Sequence, residues 1–292
     1  MNTHEWALIA FTLLTQLSIG MLIATLTVRA FAGRKTNPER TAPISDLPIY
    51  VVVALMVLAL IAALFHLGKI THVIGAVPNL ATSWMSREVV AAVVFTALTV
   101  LLAFLIWRKI GNESMRMIIG WITALVGLYL LLAMSLTYML PAQPAWNTLA
   151  TPVTFFTTSL LLGVLGTAAV LVFTHATVDS QIIKGIAVAS IVLVGLELLT
   201  MPLYLAFLST QGAAALRSLS MMIGEYGWAL VLRLLLVFAG GGLLAAYLFK
   251  NASTAKQEKM SATLAYSAFA LALVGEVIGR FLFYASSFRI GV

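Results

Sequence analysis

The chain has 292 residues, of which 62% are hydrophobic and only 9% are charged, and its formal net charge is +7. Soluble domains carry about 25% charged residues, so this composition excludes a soluble enzyme and a disordered chain and indicates a polytopic membrane protein. The few lysines and arginines stand between apolar runs, as topology signals do, so they do not indicate a nucleic-acid-binding domain. The chain has no cysteine, which excludes an iron–sulfur cluster, a thiolate metal site or a disulfide within it.

Eight stretches are apolar over about 20 residues, which is the length of a helix that crosses a bilayer. The sequence therefore predicts an all-α fold of eight transmembrane helices, in a single integral membrane domain over residues 1–292. In chain order the predicted spans are 6–28, 48–67, 88–107, 117–139, 152–174, 185–207, 227–249 and 262–285.

Proline and glycine mark particular points along these spans. Pro48 and Pro152 begin the second and fifth spans, where proline is tolerated in the first helical turn. Pro202 lies inside the sixth span and predicts a kink. Gly275 and Gly279 form a GxxxG pattern in the eighth span, which predicts the close approach of another helix.

The distribution of basic residues predicts the orientation of the helices. Eleven lysines and arginines lie in the loops after the odd-numbered spans, and four lie on the opposite side. By the positive-inside rule, both termini and the loops after the even-numbered spans face outward.

Ionisable residues inside a span need a reason, because each costs roughly 2.5–3.5 kcal/mol on insertion. Those well inside the predicted spans are Glu197, Arg233, Glu276 and Arg280. Glu197 is nearest the midplane and the other three fall in the outward half, whereas the inward half has almost nothing comparable. Structural roles would account for them: Glu276 and Arg280 are spaced i,i+4 and can pair within one helix. Arg233 can neutralise Glu197 or Glu276.

His66 closes the second span and Glu88 opens the third, so both border the same outward loop. Each also has a structural interpretation. Ser86 is the expected N-cap of the third span, where the helix dipole favours a carboxylate, and a helix C-terminus favours a cationic histidine. Together, however, a histidine and a glutamate on adjacent helix ends form a proton-accepting pair at the membrane surface.

Haem would require histidines in facing pairs within the spans. The histidines lie outside the spans or at their ends, and they are His4, His66, His72 and His175. The sequence therefore predicts no haem, and it shows no ligand cluster for a metal.

Several motifs along nearly the whole chain combine into one pattern. They are His4-Glu5-Trp6, Phe11-Thr12 and Gln16 in the first span, Phe65-His66-Leu67-Gly68 ending the second, Ser86-Arg87-Glu88 opening the third, Trp146 with Thr151-Pro152 before the fifth, Tyr226-Gly227 with Arg233 in the seventh, and Gly275-Glu276-Val277-Ile278-Gly279-Arg280 with Phe283-Tyr284 in the eighth. On these residues the chain resembles the membrane-anchor subunit of anaerobic dimethyl sulfoxide reductase, one of the quinol-oxidising anchors of molybdenum oxidoreductases.

The resemblance implies a three-subunit enzyme of anaerobic respiration in the bacterial inner membrane, with both termini of this chain periplasmic. A molybdopterin catalytic subunit and a four-cluster iron–sulfur subunit would be its partners. The chain would not carry the terminal reductase site. It would oxidise menaquinol and pass the electrons to the nearest cluster.

Within this framework each polar residue has an expected role. We expect His66 and Glu88 to accept the protons of menaquinol. The residues expected to line the quinol site with them are Arg233, Glu276 and Arg280. The residues expected to dock the iron–sulfur partner are Lys69, Arg87 and Arg217.

Two other classes of function stay open. A secondary transporter or ion-translocating subunit also buries glutamate and arginine in its spans, but it should carry polar residues on both sides of the midplane and broken helices there. The nearly apolar inward half argues against that class. The third class is a structural anchor without a quinol site.

Overall fold

The computed structural model describes residues 3–33, 38–67, 75, 77–174, 180–243, 245 and 262–290. The α-helices are α1 (Thr3–Gly33), α2 (Pro38–Leu67), α3 (Trp84–Trp107), α4 (Glu113–Tyr138), α5 (Ala150–Phe173), α6 (Ser180–Leu208), α7 (Ala213–Ser220), α8 (Gly227–Val237) and α9 (Ala262–Ala285). A 3₁₀ turn covers Val77–Asn79, and π-helical turns cover Met221–Glu225 and Phe238–Leu243. No β-strand occurs in these ranges, so the all-α prediction is confirmed for them.

Seven of these helices are long and apolar enough to cross a membrane, and the count is eight if one bent pair forms a single span. The bent pair joins Ala213–Glu225 to Gly227–Gly242 at an angle of 74°. The multi-pass prediction is thereby confirmed, whereas the outward position of the termini stays a prediction.

The seventh predicted span, 227–249, is not one regular helix. α8 ends at Val237 and continues as a π-helical turn, and the chain before α8 bends away. Hydropathy could not show this, because the apolar composition continues through Gly240–Gly242, where low helix propensity permits a wider turn. Residues 244 and 246–249 lie outside the described part.

The third span begins earlier than predicted. α3 starts at Trp84, and the hydroxyl of Ser83 accepts a hydrogen bond from the Ser86 backbone N–H at 3.3 Å. Ser83 is therefore the N-cap, and the assignment of Ser86 to that role was wrong. Both serines precede an apolar run, and the sequence does not decide between them because Trp84 is itself apolar. Glu88 consequently lies in the second turn of α3.

The prolines take up three different positions. α2 begins at Pro38, so Pro48 lies inside the helix and not in its first turn, which corrects the prediction. Pro152 lies in the first turn of α5, as predicted. Pro202 lies inside α6, which continues beyond it to Leu208, and the kink itself stays a prediction.

α1 and α5 are the central helices of the bundle. Their most apolar stretches are 67% and 72% buried, against 28–44% for the other spanning helices. α2, α3 and α4 pack on one flank of this central pair, and α6, α8 and α9 pack on the other. Polar contacts join the central pair, including the hydrogen bond that the Ser159 hydroxyl donates to the Gln16 carbonyl at 2.7 Å.

If α7 and α8 are counted as one bent span, successive spanning helices run antiparallel, so the bundle has two distinct ends. We call the end at which α2 and α9 end and α3 and α5 begin the polar end. At the opposite end, where α1 ends and α2 and α4 begin, Arg29 is buried and donates from Nη2 to Glu113 Oε2 at 2.8 Å. Arg29 Nη1 lies 3.4 Å from Asp46 Oδ1. The prediction that this half has almost no buried charge is therefore wrong. Arg29, Asp46 and Glu113 each lie near the boundary of an apolar run, and the sequence pattern places such residues in loops.

Candidate functional site

A pocket lies towards the polar end, between α5, α6, α8 and α9. A volume of about 60 Å³ is open to the centres of water molecules, which is room for several waters at roughly 15 Å³ each. Met201, Met222 and Phe283 form much of its apolar wall. The charged residues in its wall are Glu197, Arg233, Glu276 and Arg280.

Arg233 of α8 is the centre of the charged wall. Its Nη2 donates to Glu197 Oε1 of α6 and lies 3.8 Å from Glu276 Oε2 of α9. Thr158 of α5 donates its hydroxyl to the same Glu276 oxygen at 2.7 Å. All four side chains are buried. Arg233 therefore contacts both glutamates that the sequence offered as partners.

The GxxxG pattern of α9 explains how the arginine fits between two helices. The guanidinium of Arg233 lies directly against Gly279, where a Cβ atom would overlap it. One turn earlier, a Cβ at Gly275 would lie 2.8 Å from the Val237 side chain. The predicted close approach of another helix is thus confirmed, and that helix is α8.

Arg280 has different partners from those predicted. It donates from Nη2 to Gln16 Oε1 of α1 at 2.9 Å, and its guanidinium carbon lies 3.9 Å from the Phe155 ring centroid. Among the described residues, Glu276 pairs with Arg233 and does not form an ion pair with Arg280. The charge of Arg280 is therefore held by an amide and by an aromatic face, and no carboxylate contacts it in the described part of the sequence.

Glu88 lies apart from this pocket, on α3. It is buried, lies beside Thr137 of α4, and is within electrostatic range of Tyr138 and Tyr284. The two phenol oxygens of those tyrosines are 2.6 Å apart. No lysine or arginine in the described ranges forms an ion pair with Glu88, which is therefore a buried carboxyl without a counter-charge among those residues.

An aromatic cluster connects the pocket to the neighbourhood of Glu88. Trp146 stacks on Phe283 with ring centroids 5.1 Å apart, and its indole N–H donates to the Phe283 carbonyl at 2.8 Å. Tyr138 packs edge-on against both rings and against Tyr284. Phe283 lines the pocket on one side of this cluster, and the tyrosines face Glu88 on the other.

The predicted site residues therefore fall into two groups. Arg233, Glu276 and Arg280 line the pocket, and Glu88 does not. His66 lies in the last turn of α2, which packs against α3, so its backbone shares the polar end with Glu88. The side chain of His66 lies outside the described residues.

The predicted docking residues have local partners. Arg87 donates to the carbonyls of Leu80 and Ala81 at 2.8 and 2.7 Å. Arg217 of α7 lies 3.6 Å from Glu225 in an exposed ion pair. Lys69 lies outside the described residues. Both described arginines stand at the polar end, and their part in docking stays a prediction.

Sequence reasoning missed Thr158, Tyr138 and Tyr284 as members of the buried network. Threonine and tyrosine are common in apolar spans and carry no insertion cost comparable to a charge, so composition does not mark them, and only Tyr284 stands in one of the motifs. The part of the chain that the structure describes contains no group of three or more metal-ligand side chains. The prediction that no haem binds stays a prediction.

The apolar helices and the buried polar groups at one end define a multi-pass helical membrane protein with an internal site. Its sequence matches the family model of the DMSO reductase anchor subunit (DmsC) over residues 1–286. The chain belongs to this family, which confirms the resemblance drawn from its motifs. Membership makes it a membrane anchor of a dimethyl sulfoxide reductase complex, associated with molybdoenzyme and iron–sulfur subunits.

Curated relatives match this protein from end to end at low identity. It is 28% identical to the anaerobic dimethyl sulfoxide reductase subunit YnfH of Escherichia coli, over 99% of this protein and 97% of the relative. It is 26% identical to the C subunit of anaerobic dimethyl sulfoxide reductase from Haemophilus influenzae, over 100% of this protein and 99% of the relative. It is 25% identical to the C subunit of the Escherichia coli enzyme, over 99% and 97%.

Proposed function

We propose that this chain oxidises menaquinol at the polar end of the bundle and passes the electrons to an iron–sulfur partner, in anaerobic respiration at the bacterial inner membrane. The observation that carries the proposal is the buried carboxyl of Glu88, which has no counter-charge in the described residues and lies beside the Tyr138–Tyr284 pair. Both termini and this end of the bundle would then face the periplasm.

Oxidising a quinol releases two protons with two electrons, so the site needs bases close to the quinol hydroxyls. Glu197 and Glu276 both contact the guanidinium of Arg233. This contact leaves each of them less able to accept a proton from a quinol. Glu88 has no such partner and is the better acceptor. His66, at the neighbouring helix end, supplies a second base, because the ordinary pKa of histidine is about 6.5.

Arg280 supports the reaction without transferring a proton. It contacts no carboxylate among the described residues and lies within electrostatic range of both tyrosines. A fixed positive charge of this kind stabilises the anion that forms when the first proton leaves the quinol. Arg233 and Glu276 join α8 to α9 beside it and complete the charged wall of the pocket.

The electrons would leave through the partner subunits. Relatives of this protein are named as parts of anaerobic dimethyl sulfoxide reductase, so we place a four-cluster iron–sulfur subunit and a molybdopterin subunit on the polar end. The positive charges offered to the iron–sulfur subunit there are Lys69, Arg87 and Arg217.

Two observations favour a second candidate, an ion-translocating subunit. They are the bent pair around Tyr226 and the ion pairs of the buried Arg29 at the opposite end, and transporters use features of both kinds. Family membership argues for the first candidate. The two differ in charge movement, since a quinol oxidised and deprotonated on one side moves no net charge across the membrane.

The test is menaquinol oxidation by the complete complex in proteoliposomes, with membrane potential recorded in parallel. We expect quinol-dependent reduction of the terminal acceptor without a membrane potential, and strongly slowed turnover in Glu88→Gln. An artificial donor that reduces the soluble subunits directly should support equal rates in both proteins. Unchanged quinol oxidation in Glu88→Gln would remove Glu88 from the mechanism, and a potential generated during turnover would favour the second candidate.

A further inference from the structure

A second buried carboxyl site, separate from Glu88, lies in the pocket between α5, α6, α8 and α9. Glu197 and Glu276 come from different helices, and a carboxyl oxygen of each lies against the same nitrogen, Nη2 of Arg233. Each glutamate is only 2% exposed. Two carboxyl groups therefore contact one guanidinium in the interior of the bundle.

The hydrogen bonding of this pair is incomplete if both groups are ionised. Glu197 Oε2 and Glu276 Oε1 are buried and have no hydrogen-bond partner among the described residues. Buried polar oxygens are almost always bonded, so the two atoms require an explanation. A proton on one carboxyl would turn an unbonded acceptor into a donor, and close carboxylates in a medium of low dielectric do not both stay ionised.

The other groups that face the pair do not remove this requirement. Arg280 is bonded to Gln16 and lies on Phe155. Tyr204 of α6 donates its hydroxyl to the Ala145 carbonyl at 2.9 Å. Of the α5 hydroxyls in the pocket wall, those of Thr151 and Thr154 donate to backbone carbonyls, and that of Thr158 donates to the Glu276 oxygen that faces Arg233.

We propose that Glu197 and Glu276 hold one shared proton and that the pocket gives water access to it. The pocket has room for several water molecules beside the pair, so the proton can exchange with solvent. Two carboxylates and one guanidinium sum to a charge of −1, which one proton neutralises. This site stands on its own geometry and does not depend on quinol oxidation at Glu88.

Infrared spectroscopy of the complete complex at neutral pH, recorded in water and after exchange into D₂O, tests the proposal. Glu88→Gln serves as the background, because Glu88 is itself a buried carboxyl. In that background we expect a protonated carboxylic C=O band that shifts in D₂O and is lost when Glu197→Gln or Glu276→Gln is added. Glu225→Gln, which alters an exposed glutamate, is the matched control and should leave the band unchanged.

Three results would overturn the proposal. The first is the absence of a protonated carboxyl band in the Glu88→Gln background, which decides the matter even if the further variants fail to fold. The second is a band that survives both Glu197→Gln and Glu276→Gln. The third is a band that does not shift in D₂O, which would remove water access. Failure of the quinol assay leaves each of these readouts intact, so the two proposals fail separately.

Discussion

Gly20 of α1 and Gly163 of α5 face each other where the two central helices cross. A Cβ atom at either position would overlap the backbone of the opposite helix. The two backbones are therefore in direct contact at this point. In a membrane, lipid gives no hydrophobic drive between helices, so close packing of small residues is a main source of helix association.

Gly163→Ala should destabilise the bundle. The new methyl group meets backbone atoms that cannot rotate away, so we expect a loss of about 1–3 kcal/mol, typical of overpacking. The measurement is thermal inactivation of the purified complex. Gly195→Ala on α6 is the matched control, because a Cβ there meets nothing within 4 Å, and alanine favours a helix over glycine. Equal thermal stability of the two variants would contradict the packing of α1 on α5.

Substitutions among Arg29, Asp46 and Glu113 should show which of these charges is most costly to leave unpaired. The side chain of Arg29 is 4% exposed, whereas those of Asp46 and Glu113 are 28% and 37% exposed. Neutralising both acids, with Asp46→Asn and Glu113→Gln, leaves a buried cation unpaired and should cost about 3–5 kcal/mol. Arg29→Met should cost less, because both acids reach water. Denaturation in detergent compares the two, and a larger loss in Arg29→Met would contradict this assignment.

The lengths of the apolar runs predicted most of the fold, because a helix that crosses a bilayer must be apolar over about 20 residues. The predicted span 262–285 coincides with α9, five others lie within five residues of the helix ends, and span 48–67 ends with α2, which begins ten residues earlier. The seventh failed because a bend and π-helical turns change backbone geometry without changing hydropathy. Helix starts failed where neighbouring residues, such as Ser83 and Ser86, were equally good caps.

In the candidate site, the sequence predicted ion-pair partners only where few charged residues were available to pair. Arg233 had few acids to pair with, so its partners could be deduced from the sequence. Arg280 could not be placed in the same way, because spacing along α9 favours Glu276 while tertiary packing supplies Gln16 and Phe155. Which helix faces meet depends on contacts between residues far apart in the chain. The spacing of residues along one helix does not reveal those contacts.

Tyr284→Phe should separate the role of the phenol pair from general packing. It removes the 2.6 Å contact to the Tyr138 hydroxyl, which should cost about 1 kcal/mol of stability. Under the proposed function it should also lower kcat for quinol oxidation more than it changes KM, because the phenols lie beside Glu88 and not in the pocket. Tyr129→Phe, at an exposed position, is the control. An identical decrease in both variants would show that the phenol pair has no specific part.

His66→Ala should nearly abolish quinol oxidation while the complex still assembles and an artificial donor still reduces the soluble subunits. The first proton of the quinol must leave to a base that is unprotonated at neutral pH, and an imidazole with an ordinary pKa of about 6.5 meets that condition. The neutral ring is the acceptor, so the rate of the unmodified protein should fall as the pH drops through this value. His66→Ala should be slow at every pH and should lack that fall.

Two comparisons make the histidine experiment specific. His72→Ala removes the other histidine of the same loop and should be the milder variant. Glu88→Gln should slow turnover and change the shape of the pH profile, because His66 remains as a base. Steady-state oxidation of a menaquinol analogue between about pH 5.5 and 8.5 brackets the histidine pKa and compares all three variants. Unmodified rates in His66→Ala, with an unmodified pH profile, would leave His66 as a helix-end residue and assign proton acceptance to Glu88 alone.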